Sequence, residues 1–266
     1  MLETGSSLCE HPCYLRPTTS HMIGIFDSGS GGLSVLRALR ARAPMADIVY
    51  FGDLANAPYG NKSREELGAL TVLGIQKLID AGATEIVSAC NSVSVSIVLP
   101  MFEILDLPKA NLIEMVGPTV ASFKGEQARV LVAATRATVE SCVYQDGFRM
   151  VGVHAYGVAI PDLVALIESG GSEEKMCACV RDALMPYVGA GYTHLVLGCT
   201  HFPLIEQVFT RTCADLGLTV TIVDPAHAVA EAAYTRFETS GTGALQIHTS
   251  KESVVFERLR NTYARP

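Results

Sequence analysis

The chain has 266 residues, a formal net charge of -7 and 49% apolar residues. That length holds one large α/β domain or two of ordinary size, and that composition excludes a largely disordered chain. The acidic balance argues against nucleic acid as a default partner, and no apolar stretch is long enough to span a bilayer, whereas a small acidic substrate fits wherever local donors are well placed.

Residues 1–21 are polar, contain two prolines and show no period. They read as a flexible extension or leader without a function of their own. From Met22 the chain alternates strand and helix signals. The run 22–27 (MIGIFD) is a short apolar strand ending in an acid, and Leu33, Leu36 and Leu39 then fall on one helical face. A second strand covers 47–53 (DIVYFGD). Ser63 and Glu66 have capping-box spacing, which starts a helix running to about Gly82. A third strand at 84–89 (TEIVSA) leads to a helix from about Ser92. Strands follow at 128–134 and 151–158 with a helix between them, then helices near 162–168 and 173–188. The buried strand 194–198 (HLVLG) precedes another helix, and 218–224 reads as a further strand. Apolar strands separated by amphipathic helices imply parallel sheets covered on both faces, a doubly wound α/β fold.

One internal similarity stands out. Residues 85–92 read EIVSACNS and residues 194–201 read HLVLGCTH. Each is an apolar strand, a small residue, a cysteine and two polar residues. Function gathers at the carboxyl ends of parallel strands, where Cys90 and Cys199 both fall. Two such halves suggest a duplication with one pocket between them; chance recurrence of a common strand–loop–helix pattern is the plainer alternative.

Eight cysteines are present, at 9, 13, 90, 142, 177, 179, 199 and 213. Without a secretory signal pattern they are expected to be free thiols of a cytoplasmic protein. Neither the Cys177/Cys179 pair nor the Cys9/Cys13 pair has a matching second half at zinc spacing, so no structural metal is expected. The glycine-rich segment 27–33 (DSGSGGL) can hold a carboxylate or phosphate on its backbone N–H groups, or can simply be a tight turn. It is not a dinucleotide fingerprint, because Ser34 takes the place of the last glycine, and no Walker A sequence occurs. A dinucleotide-dependent oxidoreductase is disfavoured accordingly.

A lone cysteine is more often a core residue than a catalyst. Two in matching positions, each at an expected helix N-terminus that favours the thiolate, point to acid/base work. Set on opposite faces of one α-carbon, a thiolate can remove a proton while a thiol returns one. No pyridoxal phosphate site is recognisable, so the protein itself must stabilise the developing carbanion by preorganised donors and exclusion of water. Asp27, at the end of the first strand, and His201, two residues past Cys199, can each hold a thiol in its working protonation state.

The motifs DSGSGGLSV (27–35), YFGDLANAPYG (50–60), ACNS (89–92), ATRATVES (134–141) and LGCTHFPL (197–204), in this order, resemble the aspartate/glutamate racemase superfamily and within it the bacterial glutamate racemases. The resemblance runs from Met22 to about Ala233. It implies two pseudo-symmetric doubly wound domains, residues 22–116 plus 224–266 and residues 117–223, with the active site between them. It implies cofactor-free and metal-free inversion of glutamate, with Cys90 acting on the D-enantiomer and Cys199 on the L-enantiomer. Asp27 and His201 would assist the thiols, and Glu168 would support His201. Asp27, Ser28, Pro58, Tyr59, Gly60, Asn91, Ser92, Thr135, Thr138 and Thr200 would line the substrate pocket. A homodimer is common in the family, and its role is to supply D-glutamate for peptidoglycan. Ser92 stands where the family usually has Thr, Val93 where it has Ala, and Ala134 where it has Gly; the stretch 154–160 (HAYGVAI) is also unusual. A single methyl in a fitted pocket is worth about 1–3 kcal/mol, which leaves a racemase for aspartate or a related acid as an alternative. A non-catalytic amino-acid-binding regulator is the other, and the intact cysteine pair argues against it.

Overall fold

The computed structural model describes residues 21–97 and 99–264. The expected N-terminal extension, with Cys9 and Cys13, lies outside the described residues but for His21. Two all-parallel sheets form the molecule. The first contains β1 (Met22–Asp27), β2 (Asp47–Gly52), β3 (Glu85–Ser88), β4 (Leu112–Ile113) and β9 (Leu245–Thr249), in the order β4-β3-β1-β2-β9. The second contains β5 (Arg129–Ala134), β6 (His154–Ala159), β7 (His194–Gly198) and β8 (Thr221–Val223), in the order β6-β5-β7-β8. The central strands are largely apolar on both faces because each face meets its own core. In the first sheet Ile23, Ile25 and Val87 enter one core while Phe26, Val49 and Ile86 enter the other. In the second, Leu131, Leu195 and Leu197 divide from Val130, Val132 and Val196 in the same way.

Helices cover both sheets. α1 (Leu33–Arg42), α2 (Arg64–Asp80), α3 (Asn91–Ser94) and α4 (Leu99–Ile104) follow strands of the first sheet. α5 (Val116–Ala121) leads into the second sheet, whose helices are α6 (Arg136–Glu140), α7 (Val143–Met150), α8 (Leu163–Glu168), α9 (Glu173–Leu184) and α10 (Glu206–Leu216). The chain then returns through α11 (Pro225–Arg236), which packs Ala226, Val229, Ala230 and Ala233 into a core of the first sheet, and ends in α12 (Val254–Tyr263). The capping box at the start of α2 forms: the Ser63 hydroxyl accepts from Glu66 N–H at 3.2 Å, and Ser63 N–H donates to the Glu66 carboxylate at 2.8 Å.

Several expected boundaries shift for local reasons. The strand expected at 151–158 starts only at His154, because Gly152 adopts φ +79° and Val153 N–H folds back onto Phe148 to close α7. The strand expected at 218–224 shortens to Thr221–Val223 for the same reason. Gly217, at φ +69°, ends α10, and Leu218 N–H bonds back to Cys213. The helix expected from Ser92 is the single turn Asn91–Ser94. β9 was not legible: it is an edge strand, and every second residue is exposed. It nonetheless pairs with β2 in parallel, with Tyr50 opposite Ile247.

α12 is mostly exposed, but Phe256 is fully buried with its ring 6.1 Å from that of Tyr50. Tyr50 in turn donates its hydroxyl to the Gly29 carbonyl at 2.9 Å. The last helix is therefore tied to the glycine-rich loop through one aromatic contact and one hydrogen bond. Phe256→Ala is expected to lower unfolding free energy by about 3–5 kcal/mol, the cost of emptying a well-packed aromatic site. Urea unfolding checks this, and a loss typical of an exposed terminal helix, roughly 0.5 kcal/mol or less, would contradict it.

Candidate active site

Two strand ends bring the cysteines to one place. Cys90 follows β3 and Cys199 follows β7, and both are buried. They line a single cleft between the two sheets. The first sheet's loops supply Ser28, Pro58, Tyr59, Gly60, Asn91 and Ser92 to its wall, and the second sheet's loops supply Thr135, Thr200 and His201. Asn61, Pro161 and Val164 also line it. No motif marks these three, although Asn61 directly continues the PYG segment and Pro161 follows the carboxyl end of β6.

Asp27, Thr138 and Glu168 stand behind this wall. Asp27 is fully buried; its Oδ2 accepts from Gly29 N–H at 2.8 Å and its Oδ1 from the Thr200 hydroxyl at 3.1 Å. It therefore fixes both the glycine-rich loop and the residue next to Cys199. Thr138 lies 3.2 Å from the Thr135 hydroxyl, which lies 2.9 Å from that of Ser92. This hydroxyl chain joins the two sheets across the cleft.

The glycines of 27–33 are there for close approach, since none has a positive φ. A Cβ on Gly31 would sit 2.5 Å from the Thr200 hydroxyl and 2.8 Å from the His201 nitrogen. One on Gly29 would sit 2.8 Å from Glu168 Oε1. Such distances are closer than carbon can come to these atoms. The loop does hold an anion, and it is the protein's own: Ser30 donates to Glu168 Oε1 from its backbone N–H at 3.0 Å and from its hydroxyl at 2.7 Å.

The same Glu168 oxygen lies 2.6 Å from His201 Nε2, and His201 Nδ1 lies 3.9 Å from Cys199 Sγ. Burial alone would favour neutral imidazole; the bonds to Cys199 and Glu168 override it and hold the His201 pKa well above 6.5. An imidazolium donates from both ring nitrogens, which matches its two partners. Glu168 is likewise pulled in two directions. Burial raises its pKa, but bonding and charge from His201, with the two Ser30 donors, bring it down to about 2.

Cys90 differs from the expectation of a thiol acidified by a helix end. Its pKa is pushed up to about 12, first by burial and then by the charge of Asp27. The Ser28 hydroxyl at 3.2 Å offsets only part of this. The helix that follows is one turn long, too short for its end to outweigh desolvation. Cys90 thus rests as a thiol.

Tyr59 presents its ring to the cleft and turns its hydroxyl away, donating to Asp53 Oδ2 at 2.7 Å. Asp53 also accepts from the Asn56 amide at 2.9 Å and from the Ser250 hydroxyl at 2.7 Å, so the turn after β9 braces the loop carrying Pro58, Tyr59 and Gly60. Gly60 must be glycine, because a Cβ would come within 2.7 Å of Thr135. Among the described residues no group of three or more His, Cys, Asp or Glu side chains has metal-binding geometry, and no helix is long and apolar enough to cross a membrane.

Comparison with known proteins places this geometry in a family. Residues 33–233 match the Asp/Glu/Hydantoin racemase family. The glutamate racemase of Deinococcus radiodurans is 36% identical over 235 residues, 86% of this chain and 79% of that protein. The glutamate racemase of Aquifex aeolicus is 32% identical over 237 residues, 89% of this chain and 91% of that protein. The crystal structure of Francisella tularensis glutamate racemase in complex with D-glutamate superposes with a TM-score of 0.80 at 26% identity, covering 92% of this chain and 94% of that one. The chain belongs to the Asp/Glu/Hydantoin racemase family.

The His201–Glu168 pair gives a pH signature. Glu168 is depressed from 4.5 to about 2, so its stabilisation is complete above pH 4.5 and is lost as pH falls towards 2. His201 is raised above 6.5, so its stabilisation is complete below pH 6.5 and is lost as pH rises through the folded-state value. In Glu168→Gln, the stability deficit against the parent should be widest between those limits and narrow as the medium is acidified below pH 4.5. Urea midpoints across the acid and neutral range read this directly. A deficit that does not change with pH would show that the pair carries no charge.

Proposed function

We propose that this chain interconverts L- and D-glutamate by two-base proton transfer between Cys90 and Cys199. The observation that carries the proposal is the pair of cysteines on corresponding strand ends of two different sheets, both facing one buried cleft. In one direction the Cys199 thiolate takes the α-proton, the electron pair remains on the α-carbon, and the Cys90 thiol donates its proton to the opposite face. The protonation states of the two sulfurs are then exchanged, and the reverse reaction uses them in the opposite order. Cys199 serves the L-enantiomer and Cys90 the D-enantiomer. The resting arrangement, with Cys90 protonated and Cys199 next to the His201 imidazolium, suits L-glutamate as the first substrate.

The surrounding groups lower the cost of the carbanion. Ser28 donates to Cys90 when it becomes a thiolate, and Asp27 orients Thr200 beside Cys199. Glu168 keeps His201 charged and correctly turned. The Ser92 and Thr135 hydroxyls face the substrate carboxylates, with Thr200 held next to Cys199 by Asp27, while the Tyr59 ring and Pro58 exclude water. The reaction so written needs no metal, nucleotide or pyridoxal phosphate. In the cell the product would be D-glutamate for peptidoglycan, made in the cytoplasm by a homodimer in which each chain carries two domains, residues 22–116 with 224–266, and 117–223.

The test is racemisation, followed by circular dichroism from each enantiomer of glutamate and of aspartate. Cys90→Ser and Cys199→Ser should each nearly abolish it, because a serine hydroxyl is far too weak an acid or base to replace a thiol. Cys142→Ser, Cys177→Ser and Cys213→Ser should keep most of the rate. In deuterated water the product should carry solvent deuterium at its α-carbon. Racemisation of glutamate at close to the parent rate by either folded Cys90→Ser or Cys199→Ser would rule out the two-thiol mechanism, and activity on aspartate alone would move the substrate assignment.

A further inference from the structure

We infer that Tyr144 is a positioning residue that sets the orientation of the Asn91 amide, so that its NH₂ end faces the cleft as a donor to a substrate carboxylate. The inference builds on the glutamate reading above. Asn91 lines the cleft immediately after Cys90 and is only 2% exposed. Its Oδ1 accepts from the Tyr144 hydroxyl at 2.6 Å. Its Nδ2 is buried and has no partner in the protein. A buried N–H group without an acceptor is costly, and such groups in native proteins mark places where something else supplies the partner. Here the missing partner must be an acceptor, and an acidic substrate brings carboxylate oxygens.

The two ends of a primary amide have nearly the same shape and opposite hydrogen-bonding character. Which end faces the cleft is therefore decided by the neighbour at the other end. Tyr144 is suited to decide it. Its side chain is fully buried and its ring stacks on Phe148, with centroids 6.2 Å apart and planes at 23°. Burial first of all, and the charge of Glu114, raise its pKa, so the hydroxyl keeps its proton to donate. Tyr144 sits on α7 among the helices of the second sheet, whereas Asn91 follows β3 of the first. The bond thus also ties the two units together next to Cys90. With Phe at 144, nothing would hold Oδ1 away from the cleft, and the amide would be free to present an acceptor to a carboxylate.

The experiment is a double-mutant cycle on the full chain with Tyr144→Phe, Asn91→Ala and the combined variant. It reads kcat and KM for both enantiomers of glutamate. Tyr144→Phe should raise KM about 10-fold with kcat changed less than about 3-fold, because a substrate-binding donor is lost and the thiols are untouched. The combined variant should be no worse than Asn91→Ala alone, within about 2-fold, because Tyr144 acts only through Asn91. Multiplying penalties, or an unchanged KM in Tyr144→Phe, would overturn the assignment and leave Tyr144 as a packing residue. Failure of the folded parent to racemise glutamate counts against the substrate reading instead. The same cycle is then read from denaturant unfolding of the four proteins, where strong non-additivity supports the Tyr144–Asn91 bond and additive losses refute it.

Discussion

A single carboxylate oxygen, Glu168 Oε1, takes the Ser30 backbone N–H, the Ser30 hydroxyl and the His201 ring at 3.0, 2.7 and 2.6 Å. Ser30 belongs to the first loop of one sheet; Glu168 and His201 belong to the other. Three donors on one oxygen of a part-buried carboxylate keep it ionised, and its charge keeps the imidazole protonated beside Cys199. The arrangement works only if the backbone of the first loop reaches the surface of the second unit with no side chain between them. That is why Gly29 and Gly31 cannot carry a Cβ. Loop composition, union of the two halves and the charge state beside Cys199 are thus one constraint.

The two thiols sit in opposite electrostatic surroundings although their strands correspond. Cys199 has a cation 3.9 Å away. Cys90 has a carboxylate, Asp27, whose charge opposes its ionisation, with only the Ser28 hydroxyl and the Val93 backbone N–H to offset it. Under the proposed two-thiol reaction, a pair that holds one proton between two sulfurs would gain from such asymmetry, because it selects one starting distribution over its mirror. The cost would fall on the direction in which Cys90 ionises first, where the Ser28 hydroxyl and the Val93 backbone N–H are in place to meet the new charge.

What the sequence revealed, and what it hid, divides by distance along the chain. The strand-end cysteines, the capping box of Ser63 and the apolar central strands are local patterns, and each was legible as such. The asymmetry between Cys90 and Cys199 was not, because it depends on burial and on Asp27 folding back from 63 residues earlier. Tyr144 meets Asn91 across 53 residues and Ser250 meets Asp53 across 197, and no spacing rule connects either pair. Glu168 was reached only through resemblance: an acid at the end of a short helix is unremarkable until Ser30, 138 residues away, is seen to bind it. β9 escaped because an edge strand exposes half its residues and so lacks the continuous apolar run of its neighbours.

The polar contacts that cross between the two units gather around the cleft. Ser30 meets Glu168, Asp27 meets Thr200, Ser92 meets Thr135 and Asn91 meets Tyr144. Each uses a residue one to three positions from a strand end, which is where parallel sheets leave backbone and side chains unpaired. A site assembled this way has no wall belonging to one unit alone, so a change in the angle between the units alters hydroxyl spacing, amide orientation and imidazole charge together. In the proposed reaction, substrate carboxylates would join the same network, meeting the hydroxyls of Ser92 and Thr135 and the unpartnered Asn91 Nδ2.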